Sequence, residues 1–184
     1  VDVVDLVGET VILLKNHSGC EGRKLDFVVR EGSSVILGDP ERLQQAVLNV
    51  GLNALSATRY GDGVVKVTVG PCSLLGQDSE NGARGVEIQI ADNGIGIPQA
   101  NLERIFTPFF TNRDSGTGLG LSIVNRIVHD HSGVINVSSE ERKGTTFAIR
   151  LPAVSQQEIA VGRTSRGEVR AERLKEASKS LYAL

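Results

Sequence analysis

The apolar positions of this chain keep two periods, and the switches between them mark out its elements. Val3, Val7, Ile12 and Leu14 partly follow a 3.6-residue repeat, and Asp2, Asp5 and Glu9 crowd its start, where a helix dipole favours carboxylates. The spacing predicts a helix over 3–14, followed by a turn cluster at 16–22. Leu25, Phe27 and Val29 then alternate with polar or smaller neighbours. That pattern predicts a strand over 24–30, a turn at 31–34 and a short second strand over 35–37. Asp39, Pro40 and Glu41 form a helix start: a side-chain cap, a proline suited to the first helical position, and an acid in the first turn. The helix is expected to run to about Arg59. Leu43, Val47, Val50, Ala54 and Ala57 mark one apolar face, and Leu48, Leu52 and Leu55 another, so most of it should be buried. Gln45, Asn49 and Asn53, each four apart, stack into one narrow polar stripe.

After a turn at 60–63, strands are predicted over 64–69 and 86–91, joined by a long polar hairpin loop over 71–85. A helix over 119–131 and strands over 134–138 and 145–151 follow, with a turn at 140–144 and Pro152 as the stop. Strands concentrated in the second half and long helices apart from them predict an α+β two-layer sandwich. About three helices would cover one face of a mixed, mainly antiparallel sheet. From Ala153 the composition shifts. Residues 154–167 are polar and irregular, and Val169, Leu174, Ala177 and Leu181 outline a weak amphipathic helix over 167–184. The boundaries expected are a domain over 1–152 and a linker or C-terminal helix over 153–184.

Three features carry candidate chemistry. The first is the amide stripe: asparagine in a helix costs roughly half a kcal/mol in propensity, and burying its amide unpaired costs about 1–3 kcal/mol more. Neighbouring loops or a ligand would each supply partners, and the helix alone does not choose between them. The second is Asp92, where a strand gives way to Gly94 and Gly96. A carboxylate only accepts hydrogen bonds, which suits the amino group of adenine and disfavours the carbonyl oxygen that guanine carries in its place. The two glycines let the backbone approach a flat base. The third is Gly116, Gly118 and Gly120, with Leu119 and Leu121, opening a helix whose first N–H groups suit a phosphate. The run is neither a P-loop nor a dinucleotide fingerprint, because no Gly-Lys-Ser/Thr occurs and no strand leads directly into it. Between these turns, Phe106, Phe109 and Phe110 read as loop anchors, and Arg113 as a phosphate partner or a solvated loop charge. His129 and His131 sit two apart on a helix and project from different faces, which argues against a metal pair.

The bulk numbers narrow the classes. With 184 residues, 40% of them apolar, the chain is long enough for one domain with a real core. A net charge of -2 disfavours nucleic acid or an anionic membrane as partner. No apolar run approaches the roughly 18 residues of a spanning helix, and no leader opens the chain. Cys20 and Cys72 lack metal-ligand spacing and read as free thiols in a reducing, cytoplasmic setting. With no methionine and Val1 first, the chain reads as a piece of a longer protein.

The order of these features is more specific than any one of them. Asn49 with Asn53 and Ala54, Asp92 with Gly94 and Gly96, Phe106 with Pro108, Phe109 and Phe110, Gly116 to Leu121, and Gly144 to Phe147 follow one another along the chain. This series resembles the ATP-binding catalytic domain of bacterial sensor histidine kinases over about 3–152. There the motifs are the N, G1, F and G2 boxes and a closing glycine-threonine motif. The resemblance implies the Bergerat α/β sandwich of the GHKL superfamily, with ATP and Mg²⁺ as cofactors. It implies that Asp92 binds the adenine amino group, with Gly94, Gly96, Ile97 and Phe106 around the base and Thr145 in support. Asn53 would hold Mg²⁺ beside Asn49. Gly116, Gly118, Leu119, Gly120 and Leu121 would serve the phosphates, with residues 111–115 as a short lid.

Hydrolysing members of that superfamily carry a glutamate four residues before the metal-binding asparagine. Here Asn49 stands there, and its amide cannot take a proton at neutral pH. The implied activity is therefore transfer of the ATP γ-phosphoryl to a histidine, assigned catalytically to Asn49 and Arg113, for relay to a response regulator receiver domain. The acceptor histidine belongs to an upstream dimerisation domain, and His17 does not match its motif. A homodimer is expected only in the full-length protein, which is cytoplasmic with or without a membrane anchor. The alternatives are a transfer-deficient nucleotide-binding regulatory module and a hydrolase of the gyrase or chaperone type. One departure is Ser56, where many members place a basic residue; Arg113 or Arg59 would have to compensate.

Overall fold

The computed structural model describes residues 1–32, 34–74, 84–111 and 117–154. Helix α1 (Val3–Asn16) opens under the Asp2 carboxylate, which accepts from the Val4 N–H at 2.9 Å. Its buried stripe of Val3, Leu6, Val7, Val11 and Leu14 faces the core. The buried Thr10 hydroxyl is satisfied by the Leu6 carbonyl at 2.7 Å. Helix α2 (Pro40–Ala57) starts as its sequence predicts: Asp39 accepts from the N–H groups of Glu41 at 3.0 Å and Arg42 at 3.2 Å. It ends two residues short of Arg59, because Thr58 turns into an extended conformation. The two helices meet at Gly51, where any added Cβ would overlap the Leu14 side chain.

The sheet consists of β1 (Lys24–Val29), β2 (Val64–Ser73), β3 (Arg84–Asp92), β4 (Val134–Glu140) and β5 (Gly144–Pro152), in the order β1-β2-β3-β5-β4. β1 runs parallel to β2, and every other pair is antiparallel. Alternation sorts the faces. Val67, Val69, Ile88, Ile90, Ile149 and Leu151 point to the helices and are buried. On the other face Glu87 is held between Arg30 at 3.2 Å and Arg150 at 2.8 Å. Helix α4 (Gly120–Asp130) packs beside α2 on the buried face, and the four-residue α3 (Gln99–Leu102) follows the turn after β3.

Apart from shifts of one or two residues at element ends, the predicted elements differ from these in three places. The segment 35–37 forms no strand. Val35 and Ile36 make isolated bridges to Asp2 and Ala153, because α1 begins straight after Asp2 and β5 ends at Pro152, leaving one residue to pair on each side. The expected loop over 71–85 is partly strand, since β2 and β3 stay in register out to Ser73 opposite Arg84. Ladder pairing there overrides the weak strand propensity of proline, serine and glycine. α3 is too short to leave a periodic trace. The helix expected over 167–184 lies outside the described residues, and Val1–Ala153 forms one compact unit. Both cysteines are free, and burial pushes the Cys72 thiol pKa up, with Glu87 adding to the rise. No described helix is long and apolar enough to cross a membrane.

One histidine joins α2 to α4. The Asp39 N–H donates to Nε2 of His131 at 2.9 Å, so Nδ1 carries the proton and donates to the Ile127 carbonyl at 2.7 Å. Beside it Arg42 meets Asp130 at 2.7 Å. Replacing His131 by alanine should lower stability by about 1–3 kcal/mol, read from the urea midpoint; an unmoved midpoint would show that the link carries nothing. The hydrogen bond from Arg42 holds the Asp130 carboxyl below its ordinary value of 3.8. A depressed folded-state pKa contributes stability above the unfolded value and loses it as pH falls through the folded one. The small deficit of Arg42→Ala at neutral pH should therefore disappear in acid melts.

Candidate active site

Three segments converge beyond the end of β3. The turn after β3 is bolted to α2: Ile95 donates its N–H to the Ala57 carbonyl at 3.1 Å, and Gly94 lies so close to that carbonyl that a Cβ would collide with it. Asn93 ties the same turn to β2, accepting from Val64 at 2.7 Å and donating to the Asp62 carbonyl at 3.0 Å. The Asp92 carboxylate is oriented by the Gly94 N–H at 2.9 Å. The β4–β5 turn closes from the other side. Arg142 donates to the Ile95 carbonyl at 2.7 Å, and Gly96, at φ 70, packs on the Glu140 carbonyl. Gly144, at φ 120, abuts the Asp92 carbonyl, and Thr145 pairs in register with Asp92 across the ladder.

These contacts enclose a cavity of about 390 Å³. It brings together Asn49, Asn53, Asp92, Gly96, Ile97, Gly118, Gly120, Leu121 and Thr145 from the sequence-predicted set. Leu52, Ala57, Ile105, Phe110 and Phe147 supply apolar walls that sequence reasoning did not assign. At one end is a carboxylate. At the other is the N-terminus of α4, where a Cβ added at Gly120 would lie 4.0 Å from the Asn53 amide nitrogen. A mostly apolar hollow with a few convergent polar groups is the usual form of a small-molecule site.

Among the described residues, three of the predicted set do not line it. Gly94 braces the turn from behind. Leu119 stands at the N-cap of α4, its carbonyl accepting from Ser122 at 2.8 Å and from Ile123 at 3.0 Å. Phe106 packs half-buried against the core, and Phe110 takes the wall position, with the Arg104 guanidinium 4.7 Å over its ring. Three phenylalanines within five residues gave no means of choosing between them. The segment leading to the predicted lid is bracketed where Phe109, at φ 65, donates to the Gly118 carbonyl at 3.0 Å. Arg113 and Gly116 lie outside the described residues. Arg59 does not line the cavity, and the Ser56 hydroxyl turns back to the Leu52 carbonyl at 2.8 Å.

No group of three or more His, Cys, Asp or Glu side chains that could hold a metal occurs among the described residues. A cation seated here would take most of its ligands from a bound molecule and water. Asn53 and Asn49 offer amide oxygens of the kind a hard ion accepts.

Residues 38–155 match the family described as histidine kinase-, DNA gyrase B-, and HSP90-like ATPase. The sensor histidine kinase ZraS of Escherichia coli O157:H7 is 41% identical over 152 residues, 83% of this chain and 31% of that protein. The chain thus spans about a third of the length of the curated relatives it matches. The catalytic domain of histidine kinase ThkA superposes with a TM-score of 0.67 at 28% identity, over 83% of this chain and 93% of that one. Full-length ShkA in complex with AMPPNP gives 0.68 at 29% identity, over 84% of this chain and 31% of that one. With its five-stranded mixed sheet, its helix layer and the cavity between them, this chain belongs to the histidine kinase-, DNA gyrase B- and HSP90-like ATPase family, and within it is similar to sensor histidine kinases.

Proposed function

We propose that residues 1–152 bind ATP with Mg²⁺ and transfer its γ-phosphoryl to a histidine on a dimerisation domain of the same full-length protein. The phosphoryl then passes to an aspartate of a response regulator receiver domain. The observation that carries this reading is that Asp92 lines one cavity with Asn49 and Asn53, although it lies far along the chain from those two neighbours on α2. The capture of AMPPNP by ShkA, a structure of similar fold, supports a nucleotide as the occupant.

In this reading Asp92 accepts from the adenine amino group, and its contact with the Gly94 N–H aims the carboxylate. The apolar walls cover the base. The N–H groups of Gly118, Leu119 and Gly120 meet the phosphates at the positive end of α4, and Arg113 is assigned to pair with the terminal phosphate. Asn53 holds Mg²⁺, which when bound neutralises charge on the phosphates. Asn49 cannot deprotonate a water, so the position four residues before Asn53 carries no base for hydrolysis. A histidine nucleophile brings its own lone pair and needs only positioning, which dominates phosphoryl transfer. Residues 153–184 serve as a linker or an added helix, and the domain works on the cytoplasmic side whether or not the full-length protein is anchored.

Asp92→Asn should weaken ATP binding by about tenfold to a hundredfold by calorimetry, since it turns an acceptor toward a donor and forfeits about 1.5–3 kcal/mol. An unchanged affinity would remove the base from this end of the cavity. Asn53→Ala should abolish the dependence of ATP affinity on Mg²⁺, and a parent without that dependence would remove the assignment. Given labelled ATP, Mg²⁺ and the acceptor domain of its own protein, the chain should place acid-labile label on a histidine. Steady multiple-turnover phosphate release without labelling would point to a hydrolase.

A further inference from the structure

Ser139 on β4 belongs to none of the sequence motifs, yet its hydroxyl makes three contacts at the base end of the cavity. The Ile97 N–H donates to its Oγ at 2.8 Å, the Gly144 carbonyl lies at 3.0 Å, and Oγ1 of Thr145 at 2.9 Å. A serine hydroxyl has one proton and two lone pairs. The Ile97 amide takes one lone pair. The Gly144 carbonyl can only accept, so it takes the proton. The third contact is then a hydrogen bond only if Thr145 donates into the remaining lone pair. No other assignment satisfies all three contacts. It also provides for the Thr145 proton, which sits in a residue 4% exposed whose hydroxyl makes no other hydrogen bond among the described residues.

We infer that Ser139 sets the base selectivity of the nucleotide site by consuming the Thr145 proton, so that Thr145 presents only lone pairs to the cavity opposite Asp92. This rests on the ATP reading above. Thr145 lines the cavity and is the ladder partner of Asp92, so the two groups form one acceptor-only wall. Such a wall takes an amino group, or a water that donates to it, and rejects a carbonyl. Ser139 is a positioning residue that acts through Thr145. Without its hydroxyl, Thr145 regains a free proton and becomes able to donate to a 6-carbonyl.

ATP and ITP separate this role from a purely structural one, because they differ only in the 6-substituent and the adjoining ring nitrogen. Equilibrium binding of both would be measured on the parent chain, Ser139→Ala, Ser139→Thr, Thr145→Val and the S139A/T145V double variant. Ser139→Ala should narrow the ATP-to-ITP affinity ratio by roughly fivefold to tenfold. Ser139→Thr, which keeps the hydroxyl, should retain the parent ratio. Thr145→Val should narrow it, and adding Ser139→Ala to that variant should narrow it no further. Equal weakening of both nucleotides by Ser139→Ala would overturn the inference. Should Ser139→Ala fail to fold, an unchanged ratio in Thr145→Val would overturn it instead. A parent that binds ATP without preference over ITP defeats the inference and leaves the ATP reading standing, whereas a parent that binds neither defeats both.

Discussion

The hydrogen bond from the Ile95 N–H to the Ala57 carbonyl is the joint on which the site depends. The last turn of a helix leaves carbonyls without partners in the helix. Here one of them is met by the turn after β3, so the end of α2 and the end of β3 are fixed to each other. Asp92 and the Asn49–Asn53 stripe, which lie on different elements, are thereby held around one hollow. Gly94 makes the approach possible, because any side chain there would strike the Ala57 carbonyl. Gly94, a motif residue, thus serves the fold itself.

The remaining strength of the assembly is ordinary packing. One face of the sheet carries β-branched and leucine side chains against α1, α2 and α4, and the other carries charges such as Arg30, Glu87 and Arg150. The core holds the sheet ends still, and the site is built on the turns that leave those ends. The Asp92 end of the cavity is tied by Ile95 to α2 and by Arg142 to the β4–β5 turn, while Gly118, on the opposite wall, is held through its carbonyl by the Phe109 N–H.

What could be read in the sequence follows from how local each signal is. The start of α2 was legible because Asp39 and Pro40 are a cap and a first-turn residue whatever surrounds them. The alternation in 64–69 and 86–91 fixed two central strands for the same reason. The ends of those strands were not legible, since Pro71, Cys72 and Ser73 pair only because β3 lies alongside. Within the site, Asp92 and the glycines were visible as motif residues. Phe110 could not be preferred to Phe106, because their difference is one of facing in a loop with no period. Ser139 could not be found at all, because its importance lies in three contacts to residues distant in the chain or across a turn.

The account stands on one hollow being shared by a base-reading carboxylate and two helix amides, and a crystal structure with Mg²⁺ and a non-hydrolysable ATP analogue tests that most directly. It should show the purine amino group on Asp92, the cation on the amide oxygen of Asn53, and the phosphates at the start of α4. A nucleotide bound away from Asp92, or with its phosphates turned toward the β4–β5 side, would contradict it.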